Sequence, residues 1–100
     1  MKNMKSKEQY LHLLSEFHKS RGFVYGIDKL GIFGSVARGE HKEGSDVDIY
    51  YEGEPLSLLK IAALKEELET VLGNPVDIIR IRKSMNNLLK KRILKDGLYV

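Results

Sequence analysis

The chain has 100 residues, a formal charge of +3 and no cysteine, so disulfides, thiolate metal sites and cysteine nucleophiles are excluded. That length supports one hydrophobic core and not two, and a single domain over residues 1–100 is expected. No apolar run approaches the roughly 20 residues of a membrane-spanning helix, and Lys2, Lys5, Lys7 and Glu8 leave no signal-peptide core, so the expected compartment is cytoplasmic.

Ser6 and Gln9 fit a capping box. Tyr10, Leu13, Leu14 and Phe17 then follow the spacing of an amphipathic helix, which should stop near Arg21-Gly22. Asp28 to Phe33 reads as a short strand, and residues 34–40 as a glycine-bounded turn with a short helix. Asp46 to Glu52 alternates as a second strand, with Val47, Ile49 and Tyr51 on one face and Asp46, Asp48, Tyr50 and Glu52 on the other. Pro55 is expected to open a longer helix to about Leu72, with an apolar stripe of Leu58, Ile61, Ala62, Leu64, Leu68, Val71 and Leu72.

Gly73-Asn74-Pro75 breaks the chain before a third strand, Val76 to Ile81, whose apolar run suggests burial on both faces. Ser84 is expected to cap a last helix with Met85, Leu88, Leu89 and Ile93 inward. Gly97 would end that helix before the tail Leu98-Tyr99-Val100, which either packs on the core or seeds a dimer. The order implies an α/β or α+β domain whose small sheet has three or four strands flanked by helices.

Asp46 and Asp48 hold the most chemical information. Residues i and i+2 of a strand share one side, about 6.6 Å apart, so two aspartates can converge on one divalent ion or on two neighbouring ones. Hard carboxylates of this kind suit magnesium or manganese. Upstream, Gly34 would let a phosphate approach the backbone. The Ser35 hydroxyl and the amides of the helix start are phosphate donors, and Arg38 could add a forked cation. Each piece alone also has a plain structural use: a turn, an N-cap, the polar face of a strand. His12 and His18 fall on the first helix and His41 in the loop before the aspartates; none shares a spacing with the acids.

Taken together, Gly34-Ser35, ten intervening residues and Asp46-x-Asp48 resemble the signature of the DNA polymerase β-like nucleotidyltransferase superfamily. Within it, Gly-Ser-x-Ala-Arg-Gly followed by Ser45-Asp46-Val47-Asp48-Ile49 looks like the minimal nucleotidyltransferase (MNT) family. The resemblance implies the polymerase β-like fold and a third carboxylate on a later strand. Asp77 occupies that position, with Glu52 as a fallback. It also implies transfer of AMP from ATP with two magnesium ions held by Asp46, Asp48 and Asp77, and a triphosphate held by Gly34, Ser35 and Arg38. The partner it implies is a HEPN-domain toxin, silenced when this antitoxin adenylylates it. Alternatives are an antitoxin that binds nucleotide and acts by occlusion, and a small-molecule nucleotidyltransferase.

Arg80, Arg82, Lys83, Lys90, Lys91, Arg92 and Lys95 make residues 80–95 basic with no acid among them. Such a run suits an acidic partner or nucleic acid, or is a solvated helix face; direct nucleic-acid binding is not the favoured reading.

Overall fold

The computed structural model describes residues 5–82 and 84–100. Helix α1 (Lys7–Arg21) starts at the expected capping box. The Gln9 amide donates to Ser6 Oγ at 3.1 Å and the Ser6 amide to Gln9 Oε1 at 2.8 Å. The helix stops at Arg21 with Gly22 as the residue after its end, as expected. Gly22 keeps a helical φ of −56° and continues into a 3-10 turn over Gly22–Tyr25, and the left-handed residue is Gly26 at φ 64°.

Strands β1 (Ile27–Phe33), β2 (Val47–Gly53), β3 (Val76–Arg80) and β4 (Leu98–Tyr99) form one sheet in the order β3-β2-β1-β4. β2 and β3 run parallel and the other pairs antiparallel. The parallel pair needs a crossover, which α3 (Leu58–Leu72) provides. α2 (Gly34–Ala37) follows β1, and α4 (Asn87–Asp96) precedes β4.

Alternation along the strands gives the sheet two different faces. Leu30, Ile32, Val47, Ile49, Tyr51 and Val76 pack against Tyr10, Leu14 and Phe17 of α1 and Leu64, Leu68 and Leu72 of α3. On the opposite face a smaller cluster joins Tyr50, Ile81, Met85 and Ile93, with Phe33 and Ile79 against it. Tyr50 was expected on a polar face; it is 1% exposed because α4 covers that part of the sheet. β3 is an edge strand, so Ile78 and Ile79 are only half-buried and burial on both faces is not reached.

Both later helices begin after the positions expected from sequence. Pro55 lies outside α3, which starts at Leu58 because the Ser57 hydroxyl accepts from the Lys60 amide at 3.2 Å. Its contact stripe narrows to Ile61, Leu64, Leu68 and Leu72, leaving Leu58 89% exposed and Ala62 and Val71 exposed as well. In α4 the cap is Asn86 and not Ser84: the Asn86 carboxamide accepts from Leu88 and Leu89 amides at 2.9 and 3.2 Å. That shift turns Leu88 and Leu89 outward and leaves Ile93 as the buried residue of the helix. Met85 is buried just ahead of it. The apolar tail forms β4 against β1, tied by the Val100 amide to Leu30 O at 2.9 Å.

Candidate active site

β1 carries the chain to Phe33, whose antiparallel partner on β2 is Asp48. On the other side of β2, Asp48 is in register with Asp77 of β3. Paired positions on neighbouring strands, about 4.8 Å apart, direct their side chains to the same face, so the topology brings Asp48 and Asp77 side by side. Asp46 stands two residues ahead of Asp48, immediately before β2. Asp48 and Asp77 lie on the face that α4 covers further along at Tyr50. Asp46 and Asp77 are exposed and Asp48 is half-buried.

The electrostatics record this convergence. Burial pushes the Asp48 carboxyl above its ordinary value, and the negative charges of Asp77 and Asp46 push it in the same direction; Arg38 opposes them. Among the described residues, no three acidic or histidine side chains already sit together as a metal cage. The donor set nonetheless fits a divalent cation. Three hard carboxylates lie within electrostatic reach of one another, and beside burial their mutual repulsion raises the proton affinity of the central one, a repulsion that a cation would relieve.

Gly34 is fixed by two constraints. Its φ of 74° is left-handed, and a Cβ at this position would collide with the Asp48 carboxylate. Its lack of a side chain lets the β1–α2 turn lie directly over Asp48. Val36 and Ala37 of α2 are buried, Ser35 stays half-exposed, and the Arg38 amide donates to Gly34 O at 3.1 Å. The Arg38 side chain is doubly held: Nε reaches Glu40 Oε1 and Nη1 reaches Asp96 Oδ2, both at 2.9 Å. An open groove of about 540 Å³ runs beside it, lined by Phe33, Gly34, Arg38, Leu89, Arg92 and Lys95 among others.

The loop leading to Asp46 is anchored at several points. His41 Nε2 lies 2.7 Å from Lys5 O, and its ring meets the edge of Tyr10. Tyr10 OH donates to Asn74 Oδ1 at 2.9 Å, and the Val47 amide donates to Pro75 O at 2.9 Å. His41 therefore braces the loop. Glu52 does not serve as a substitute for Asp77. It lies four residues, about 13 Å, beyond Asp48 along the strand and accepts a hydrogen bond from Tyr99 OH. Sequence reasoning passed over Glu40 and Asp96. The available signal was position: Asp96 is the first acid after the basic run of residues 80–95.

A mixed sheet with paired carboxylates at the adjoining ends of β2 and β3, overhung by a glycine turn, defines a nucleotidyltransferase of the polymerase β class. Residues 13–100 match the family described as polymerase beta nucleotidyltransferase, and the chain belongs to it. It is 38% identical over 98 residues to protein adenylyltransferase MntA of Thermococcus cleftensis, covering 97% of this chain and 98% of the relative. It matches a solved structure described as a minimal nucleotidyltransferase with TM-score 0.71 and 31% identity, over 96% of this chain and 97% of the other. A chain from the complex of a tri-AMPylated Shewanella oneidensis HEPN toxin with its MNT antitoxin matches with TM-score 0.64 over 91% of this chain and 70% of the other. At 20% identity this last likeness speaks for the fold alone.

Proposed function

We propose that this protein transfers AMP from ATP to a hydroxyl of a protein acceptor, acting in the cytoplasm as the antitoxin of a HEPN-domain toxin. The single observation that carries the chemistry is the register of Asp48 with Asp77, with Asp46 two residues ahead of Asp48 and close enough for its charge to act on that carboxyl. The protein acceptor rests on the relatedness to a protein adenylyltransferase that covers nearly the whole of both chains. The HEPN partner rests on the sequence resemblance to minimal nucleotidyltransferases.

In this reading Asp46, Asp48 and Asp77 would hold magnesium, which when bound supplies neutralising charge to the triphosphate and the attacking oxygen. The turn at Gly34 admits phosphate close to the backbone, Ser35 donates its hydroxyl, and Arg38 presents its guanidinium to phosphate oxygens. The acceptor hydroxyl attacks the α-phosphorus, and the bond from that phosphorus to the bridging oxygen breaks. Pyrophosphate leaves with the bonding electrons. Asp77 would complete the metal site and help to take the hydroxyl proton.

Incubation with α-labelled ATP, magnesium and the HEPN-type protein encoded beside this one tests the proposal. Label should appear on that protein and vanish when Asp46→Asn and Asp48→Asn are combined. Protection from the toxin without any labelled product would replace transfer by occlusion.

A further inference from the structure

α4 contributes only Ile93 to the interior. Leu88, Lys91, Arg92 and Lys95 are spaced i, i+3, i+4, i+7 and form one outward stripe, with Leu89 on its flank. Leu88 is 76% exposed and Leu89 40%. Among the described residues no ion pair engages Lys91, Arg92 or Lys95. The stripe is continuous with the candidate active site, because Leu89, Arg92 and Lys95 are also walls of the groove that holds Gly34 and Arg38. A smaller hollow formed by Leu88, Leu89 and Arg92 adjoins it, sharing Leu89 and Arg92 with the groove.

From this we infer that the outer stripe of α4 is the docking surface for the protein acceptor, and that the docked segment is acidic with an apolar side chain to cover Leu88. The inference rests on the proposed transfer to a protein. Unpaired cations next to an exposed leucine complement a segment that pairs carboxylates with an apolar anchor. Nucleic acid is the poorer match: residues 81–98 contain no Phe, Tyr, Trp or His, so α4 itself offers no ring for base stacking, and phosphates would leave Leu88 uncovered. The position of the stripe also suits the chemistry, since a segment lying along α4 reaches the groove at Arg92 and Lys95.

The test pairs this protein with the HEPN-type protein encoded beside it and measures complex formation and label transfer separately. The variant is Leu88→Glu with Lys91→Glu, two exposed positions outside the carboxylate site. Leu58→Glu, also exposed but on α3, is the control, and melting curves verify that all fold. Charge reversal at the stripe should weaken complex formation and raise the KM for the acceptor by about tenfold or more, with the KM for ATP unchanged and the control like wild type. Wild-type affinity in the double variant overturns the docking surface, whether or not label is transferred. Binding lost in the double variant, with no transfer even by wild type, would keep the surface and refute the transfer reading instead. Should the same substitutions abolish binding of a single-stranded RNA oligonucleotide and leave the protein complex intact, the stripe is a nucleic-acid interface and the inference fails.

Discussion

Gly34 and Asp48 are two positions where conformation and chemistry constrain each other. Gly34 has a left-handed backbone and no room for a Cβ against the Asp48 carboxylate. Gly34→Ala therefore meets a left-handed cost of about 1–2 kcal/mol and displaces either the turn or the carboxylate. A misplacement of this kind costs on the order of 100-fold in turnover, measurable as labelled product per minute. At Asp48 the folded protein holds the proton more tightly than the unfolded chain does, through burial and through Asp77 and Asp46. A raised carboxyl value means that stability declines as pH rises through it, so at neutral pH the charged Asp48 works against folding. Asp48→Asn should melt a few degrees higher than wild type at pH 7 without metal while losing transfer, and differential scanning calorimetry checks it. An unchanged or lower melting temperature would mean that the three charges do not share one site.

Among the elements, α4 links the phosphate side of the groove to the end of the sheet. Its last turn supplies Asp96 to Arg38, 58 positions earlier in sequence, and so ties the phosphate side of the groove to the strand β4 that follows. Glu40 holds the other edge of the same guanidinium. Asp96→Asn should raise the KM for ATP roughly three- to tenfold, as expected when one charged partner of a partly exposed pair is removed, with kcat within about a factor of two; steady-state kinetics separate the two. The elements also show how much the sequence could reveal. The carboxylates were legible because alternation and a motif of fixed spacing place Asp46 and Asp48 on one strand face, and because Asp77 sits amid apolar strand residues. The capping box of α1 was legible for the same reason, being local. The side of α4 that faces inward was not: it depends on whether Ser84 or Asn86 caps, and that two-residue difference turns Leu88 from core to surface. Nor could β4 be read, since two residues become a strand only through a partner 68 positions away, Tyr99 on Gly31. The clamp on Arg38 is likewise a product of tertiary contact.

Across the whole molecule, the helical layer that backs the sheet is stitched by polar contacts centred on Glu67. Arg21 Nε and Nη2 donate to the two Glu67 oxygens at 2.9 and 3.0 Å, and Tyr25 OH donates to the same carboxylate, joining α1 and the following turn to α3. Those donors hold the Glu67 carboxyl below its ordinary value of 4.5, Arg21 first and Tyr25 next. A depressed value contributes stability above the unfolded value and loses it as pH falls through the folded one. Thermal melts of wild type and Glu67→Gln should therefore differ fully above about pH 4.5 and converge in more acidic solution. A gap that persists into strong acid would assign the stabilisation to packing.

The account depends above all on Asp46, Asp48 and Asp77 acting as a single cation site for a nucleotide. Calorimetric titration of a non-hydrolysable ATP analogue, with and without magnesium, into wild type and into Asp46→Asn, Asp48→Asn and Asp77→Asn measures this directly. Magnesium should tighten nucleotide binding to wild type, and each of the three substitutions should abolish that gain while leaving the fold intact. Full magnesium-dependent binding in Asp77→Asn would contradict the account, because the register between β2 and β3 would then have no part in the site.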